Sequence, residues 1–61
     1  MNKDTSTITT ADQARKFAID WQRWQSEQSL SYSELAEWGD IFRNLAKRFD
    51  LTEEFTENGI I

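Results

Sequence analysis

Apolar residues recur at spacings of three and four along two stretches of the chain, which is the period of an amphipathic α-helix. The face opposite each apolar stripe carries charged and polar residues. The pattern predicts an all-α protein with two long helices, over about residues 11–27 and 32–49. The stripes consist of Ala14, Phe17, Ala18, Trp21 and Trp24 in the first helix, and of Leu35, Trp38, Phe42, Leu45, Ala46 and Phe49 in the second.

Each predicted helix begins with a capping box, in which the N-cap side chain and the side chain three residues later bond each other's free backbone N–H groups. Thr10 and Ser31 are the predicted N-caps, followed three residues on by a glutamine and a glutamate. Leu30 and Leu35 flank the second cap as a hydrophobic staple would, which fixes the direction in which the chain enters the helix.

The polar break at residues 26–31 is short, so the two helices should pack as an antiparallel hairpin. Residues equidistant from the reversal at Ser29 and Leu30 are then expected to face each other. The predicted pairs are Trp24 with Leu35, Trp21 with Trp38, Phe17 with Phe42, and Ala14 with Leu45 or Ala46.

The two ends of the chain differ in apolar content. Residues 1–9 contain a single apolar residue after Met1, Ile8, and are expected to form a disordered arm because they bury too little surface to offset the entropy of ordering. Residues 10–61 are expected to form one helical mini-domain.

A short capping helix is predicted near the C terminus, over about residues 53–57. Thr52 is its predicted N-cap, and Asn58-Gly59 should end it in the left-handed conformation. Ile60 would then fold back on Phe55.

Charge supports this placement of the C-terminal segment. The net charge is −4, and its excess lies after residue 49. Basic residues gather at the open end of the hairpin, so the acidic tail should cross that end. These basic residues are Arg15, Lys16, Arg43, Lys47 and Arg48.

Residue types restrict the chemistry. The chain has no histidine or cysteine, which removes the usual zinc ligands and the nucleophile pairs based on them. Its carboxylates lie on solvated faces or in the tail, so we expect no enzyme activity, cofactor, metal or small-molecule substrate. No apolar run spans a membrane or resembles a signal peptide, which favours a cytoplasmic protein without membrane contact.

Three apolar residues fall outside the core stripes or at their margin, namely Ile19, Tyr32 and Ile41. They are the candidate surface for a protein partner or for self-association. The alternative is a homodimeric helical hairpin that binds nucleic acid through its five basic residues. The acidic total charge opposes that alternative because it repels phosphate.

Three segments carry a resemblance: Ala-Ile-Asp-Trp-Gln-Arg-Trp (18–24), Leu-Ser-Tyr-Ser-Glu-Leu-Ala-Glu-Trp (30–38) and Leu-Thr-Glu-Glu-Phe-Thr-Glu-Asn-Gly-Ile-Ile (51–61). Through them the chain resembles small uncharacterised proteins carried by phages and mobile elements of Gram-positive bacteria. The resemblance implies an accessory or regulatory protein that acts on a protein of the host or of the element. It assigns no functional residue.

Overall fold

Three helices joined by short turns make up the fold. The computed structural model describes all residues, Met1–Ile61, and places α1 at Ala11–Gln25, α2 at Tyr32–Phe49 and α3 at Thr52–Glu57. The predicted all-α hairpin with a short C-terminal helix is confirmed, although α1 ends two residues before its predicted boundary. None of the helices is both long and apolar enough to cross a membrane.

The two helix starts differ in how completely they are capped. At α1, the Thr10 hydroxyl accepts from the Gln13 N–H at 3.1 Å and the Gln13 amide oxygen accepts from the Thr10 N–H at 3.2 Å. At α2, the Ser31 hydroxyl accepts from the Glu34 N–H at 3.3 Å. The Glu34 carboxylate accepts from the Ser31 hydroxyl and makes no bond to the Ser31 backbone N–H. The first capping box is therefore complete and the second is half formed.

The first turn of α2 projects beyond the packed part of the hairpin. Leu35 is 42% exposed, so its predicted place in the core is wrong. The physical reason is that α1 ends at Gln25, and the side chain of Trp24 packs on Trp38 with ring centroids 5.9 Å apart. Little of α1 is left to cover Leu35, and the staple with half-buried Leu30 does not bury it.

An aromatic cluster fills the centre of the hairpin. Trp21 lies 6.2 Å from Trp38 and Phe17 lies 5.6 Å from Phe42, measured between ring centroids, which confirms both predicted pairs. Phe42 is fully buried and also contacts Trp21 at 5.0 Å and Phe55 of α3 at 6.1 Å. The ring of Phe42 therefore joins all three helices.

A left-handed residue turns the chain from α2 into α3. Asp50 ends α2 with φ 55°, and the next N–H, of Leu51, bonds the Ala46 carbonyl at 2.8 Å. Leu51 is the N-cap of α3 and has no side-chain capping bond, so the predicted capping role of Thr52 is wrong. Burial of Leu51 holds this start in place instead, because its side chain is 3% exposed.

The chain end folds back over α3 as predicted. Gly59 has φ 72°, and the Ile60 N–H then bonds the Phe55 carbonyl at 2.8 Å. Asn58 keeps a negative φ of −91°, so the left-handed conformation belongs to the glycine alone. Ile60 joins the core, and Ile61 is half-buried against it.

The N-terminal arm, residues 1–9, has no helix or strand, yet Ile8 is buried at 6% exposure. Arg48 Nη2 donates to the Ile8 carbonyl at 3.0 Å, and Lys3 Nζ lies 2.5 Å from a carboxylate oxygen of Glu37. Ile8 therefore belongs to the core, contrary to the expectation of a wholly disordered arm. For the rest of the arm, disorder stays a prediction.

Candidate interaction surface

A groove runs between α1 and α3 and encloses about 150 Å³. The residues of α1 that line the groove are spaced three or four apart, because such residues share one face of a helix. One side of α3 and the folded-back chain end form the opposite wall. The apolar floor of the groove consists of Ala18, Ile19, Phe55 and Ile60. Its polar rim consists of Arg15, Gln22, Glu54 and Asn58.

The polar rim of the groove is internally bonded. Arg15 Nε donates to Glu54 at 2.8 Å, and a second nitrogen of the guanidinium donates to Asp12 at 2.8 Å. These bonds, that to Glu54 first, raise the pKa of Arg15 above its already high ordinary value. Farther along, the Gln22 side chain donates to the Asn58 carbonyl at 2.9 Å. The rim therefore fastens α3 to α1, and the expected crossing of a basic end by the acidic tail is present at Arg15.

The floor of the groove contains one unusually exposed apolar side chain. Ile19 is 54% exposed, whereas its neighbours Ala18, Phe55 and Ile60 are buried. Ile19 points roughly opposite the apolar stripe of α1, away from α2. The structure thus places this predicted surface residue in a concave, mainly apolar setting.

The other two residues of the predicted surface lie elsewhere. Tyr32 is 89% exposed at the first residue of α2, one turn before Leu35. Ile41 is half-buried and packs against the core, so it offers less contact surface than expected. Ile41 shares a face of α2 with Glu37 and Arg48, the two residues that bond the N-terminal arm.

Most of the candidate basic patch is already bonded within the chain. Lys16 and Arg43 each pair with an aspartate one turn away on the same helix, and Arg48 bonds the Ile8 carbonyl. Lys47 makes no ion pair or side-chain hydrogen bond. Three of the five cations therefore face a carboxylate, including Arg15, whereas Arg48 bonds a neutral carbonyl and keeps its charge, as Lys47 does.

One buried polar atom has no partner in the core. Trp21 is 8% exposed, and its indole Nε1–H makes no hydrogen bond. Leaving such a donor unpaired costs about 1–3 kcal/mol. Trp21 does not line the groove, so we assign this atom to the core and not to the surface.

Comparison with known proteins adds no relative, because no family model, curated protein or solved structure matches the chain. No three acidic residues come together in a group that could hold a metal ion.

Proposed function

We propose that this protein is a non-enzymatic interaction module that binds a partner protein through the groove between α1 and α3. The observation that supports it is the 54% exposure of Ile19 in a concave site. An exposed aliphatic side chain among buried ones gains from being covered, since removing apolar surface from water is favourable.

The chemistry of the groove favours an apolar contact. Arg15, Glu54 and Gln22 already bond within the chain, so a partner that brought a charge would have to break existing bonds. A partner that brought an aliphatic or aromatic side chain would leave the rim intact and cover Ile19. The bonded rim would then surround the contact and help to exclude water from it.

The size of the groove favours a protein over a small molecule. Its volume of about 150 Å³ is below the roughly 300–1,000 Å³ of pockets that enclose small ligands. A space of this size suits one inserted side chain, and the surrounding surface of α1 and α3 would supply the rest of the interface.

The test is differential capture with matched variants. We expect Ile19→Asp to lose a partner that the unmodified chain retains from a lysate of its source cells, because a carboxylate there cannot be desolvated cheaply. Ser29→Asp is the control, since it adds the same charge at an exposed position outside the groove. Circular dichroism checks that both variants fold. Partners retained equally by Ile19→Asp would contradict the proposal.

The resemblance to proteins of phages and mobile elements suggests the setting of this interaction. We propose an accessory or regulatory role in the cytoplasm, with a protein of the host or of the element as the partner. Mass spectrometry of the captured partner would test this, and a secreted or membrane-embedded partner would argue against it.

Nucleic-acid binding by a homodimeric hairpin receives less support from the geometry. Of the basic residues it would use, only Lys47 is without a bond inside the chain, and the net charge is −4. Retention of DNA or RNA in a gel shift at low salt, with weakening as salt rises, would favour this alternative over the protein-binding groove.

A further inference from the structure

The N-terminal arm is attached to α2 at two points. Lys3 Nζ lies 2.5 Å from Glu37 and 5.9 Å from the centroid of the Trp38 ring. Farther along, Ile8 enters the core and its carbonyl accepts from Arg48 at 3.0 Å. Glu37 and Arg48 are about three turns apart on one face of α2, so the arm runs along this helix between the two anchors.

Between these anchors the hydrogen bonds of the arm stay within the arm. The Asp4 N–H donates to the Asn2 side chain and the Ser6 N–H donates to the Asp4 carboxylate, both at 2.9 Å. The Ile8 N–H donates to the Thr5 carbonyl at 3.0 Å. None of these bonds involves a helix, so the local turns of the arm can persist when the arm leaves α2.

The arm packs loosely on α1. Thr7 and Ile8 border an open hollow of about 240 Å³, whose far wall includes Lys16, Phe17 and Asp20 of α1. The hollow is open to solvent and separates this part of the arm from those side chains of α1. The hold of the arm on the hairpin therefore comes mainly from the Ile8 side chain and the charged contacts of Lys3 and Arg48.

We propose that residues 1–8 form a strap that detaches from the hairpin while the three helices remain folded, and that its detachment uncovers Trp38 and Phe17. Ordering these residues costs conformational entropy at each position. One aliphatic side chain, one exposed ion pair and one part-buried hydrogen bond offset that cost only in part, because an exposed ion pair contributes little. Opening of the strap breaks no bond within α1, α2 or α3, as expected for a unit that opens locally.

This proposal does not depend on the groove at Ile19, because the strap lies on the other side of α1. The groove involves Arg15, Ile19 and Gln22, whereas the hollow beside the strap involves Lys16 and Asp20. A strap that opens would give the protein a second apolar surface, made of aromatic rings and present only in the open state.

The test is Ile8→Asp in the full-length chain, with Thr7→Asp as the matched control. NMR line broadening of the Trp38 ring protons by a soluble paramagnetic agent reports exposure, and amide hydrogen exchange reports the helices. We expect broadening of Trp38 to rise about tenfold in Ile8→Asp while protection of α1 and α2 is kept. Thr7→Asp adds the same charge at an exposed residue and should leave Trp38 covered.

Two results would overturn the strap. If α1 and α2 lose protection together with the covering of Trp38, the arm is an integral part of the core. If Trp38 stays covered in Ile8→Asp, the arm does not control its exposure.

A second variant tests the charged anchor. Lys3→Gln should expose Trp38 less than Ile8→Asp does. In this variant the exposure of Trp38 should no longer depend on the salt concentration. In the unmodified chain, exposure of Trp38 should increase between low salt and 1 M NaCl, because salt screens the contact with Glu37. An identical salt response in both chains would show that Lys3 does not hold the strap.

Discussion

The two ends of the chain cover different sides of the same hairpin, and they bury different numbers of apolar side chains against it. Residues 50–61 bring three buried apolar side chains to α1 and α2, those of Leu51, Phe55 and Ile60. Residues 1–9 bring one, that of Ile8. The segment with less apolar surface therefore contributes less burial to the domain, and Ile8 is its single residue in the core.

Backbone bonding increases the difference between the two ends. In the C-terminal segment, the N–H groups of Leu51 and Ile60 bond carbonyls of Ala46 and Phe55, both at 2.8 Å. These bonds tie the segment to α2 and close it on itself. The arm is held by the Ile8 side chain and by the long side chains of Lys3 and Arg48, which lose entropy when they are fixed. At its end, the Thr9 N–H donates to the Gln13 side chain at 2.7 Å.

Removal of each end gives the most direct test. We expect deletion of residues 50–61 to abolish cooperative unfolding, since each of the three buried side chains contributes about 1.5–3 kcal/mol and the whole domain has about 5–15 kcal/mol. Deletion of residues 1–7, which keeps Ile8, should change the free energy of unfolding by about 1 kcal/mol or less. Thermal unfolding followed by circular dichroism measures both, and equal shifts would contradict the comparison.

Single substitutions sharpen the same contrast. Phe55→Ala should lower the free energy of unfolding by about 3–5 kcal/mol, because Phe55 is 2% exposed and truncation of its side chain leaves a cavity beside Phe42. Ile8→Ala should lower the free energy of unfolding by less than about 2 kcal/mol, because the arm can detach, whereas truncation of Phe55 leaves a void. Urea unfolding compares the two variants, and a larger cost for Ile8→Ala would reverse our ranking of the ends.

Much of the fold could be predicted from the sequence because it depends on local periodicity. The stripes fixed which faces of the helices meet, and the short break between them fixed the antiparallel pairing. The contacts of Trp21 with Trp38 and of Phe17 with Phe42 follow from these two facts alone.

The remaining features depend on where a neighbouring segment ends or docks. Leu35 fits its stripe but is exposed because α1 stops early, and Ile41, at the margin of its stripe, is half-buried against the core. The sequence predicts Ile19 as a surface residue because it points roughly opposite the stripe of α1. The groove around it could not be predicted, because its opposite wall is α3, whose angle no helical pattern determines.

The two glycines provide a third test, of opposite sign at the two positions. Gly59→Ala should destabilise by about 1 kcal/mol, because a side chain is strained at φ +72° and this turn returns Ile60 to the core. Gly39→Ala should stabilise by about 1 kcal/mol through helix propensity. Its new Cβ would lie 3.3 Å from Arg43 Nη1, the movable end of a flexible side chain.

Equilibrium unfolding of both glycine variants tests whether the turn at Gly59 matters for docking of the C-terminal segment. If Gly59→Ala unfolds like the unmodified chain, the fold-back of Ile60 contributes little. The stability difference between the two ends would then rest on Leu51 and Phe55.

The smallest expected effect is a pH response confined to the arm. The Ser6 N–H donates to the Asp4 carboxylate at 2.9 Å, and this bond, aided by the nearby Ser6 hydroxyl, holds the pKa of Asp4 below its ordinary value of 3.8. Because the folded pKa is depressed, the stabilising contribution of this turn is present above pH 3.8 and is lost as pH falls through the lower folded value.

NMR titration of the Asp4 carboxyl carbon checks this, with Ser6→Ala as the variant. Removal of the hydroxyl leaves the N–H bond, so the pKa of Asp4 should rise part of the way back toward 3.8. The thermal midpoint of the helices near neutral pH should not change, because Asp4 lies in the arm and makes no bond to α1 or α2. If Ser6→Ala lowered that midpoint, the turns of the arm would be coupled to the hairpin, and the division between an accessory arm and an integral C-terminal segment would fail.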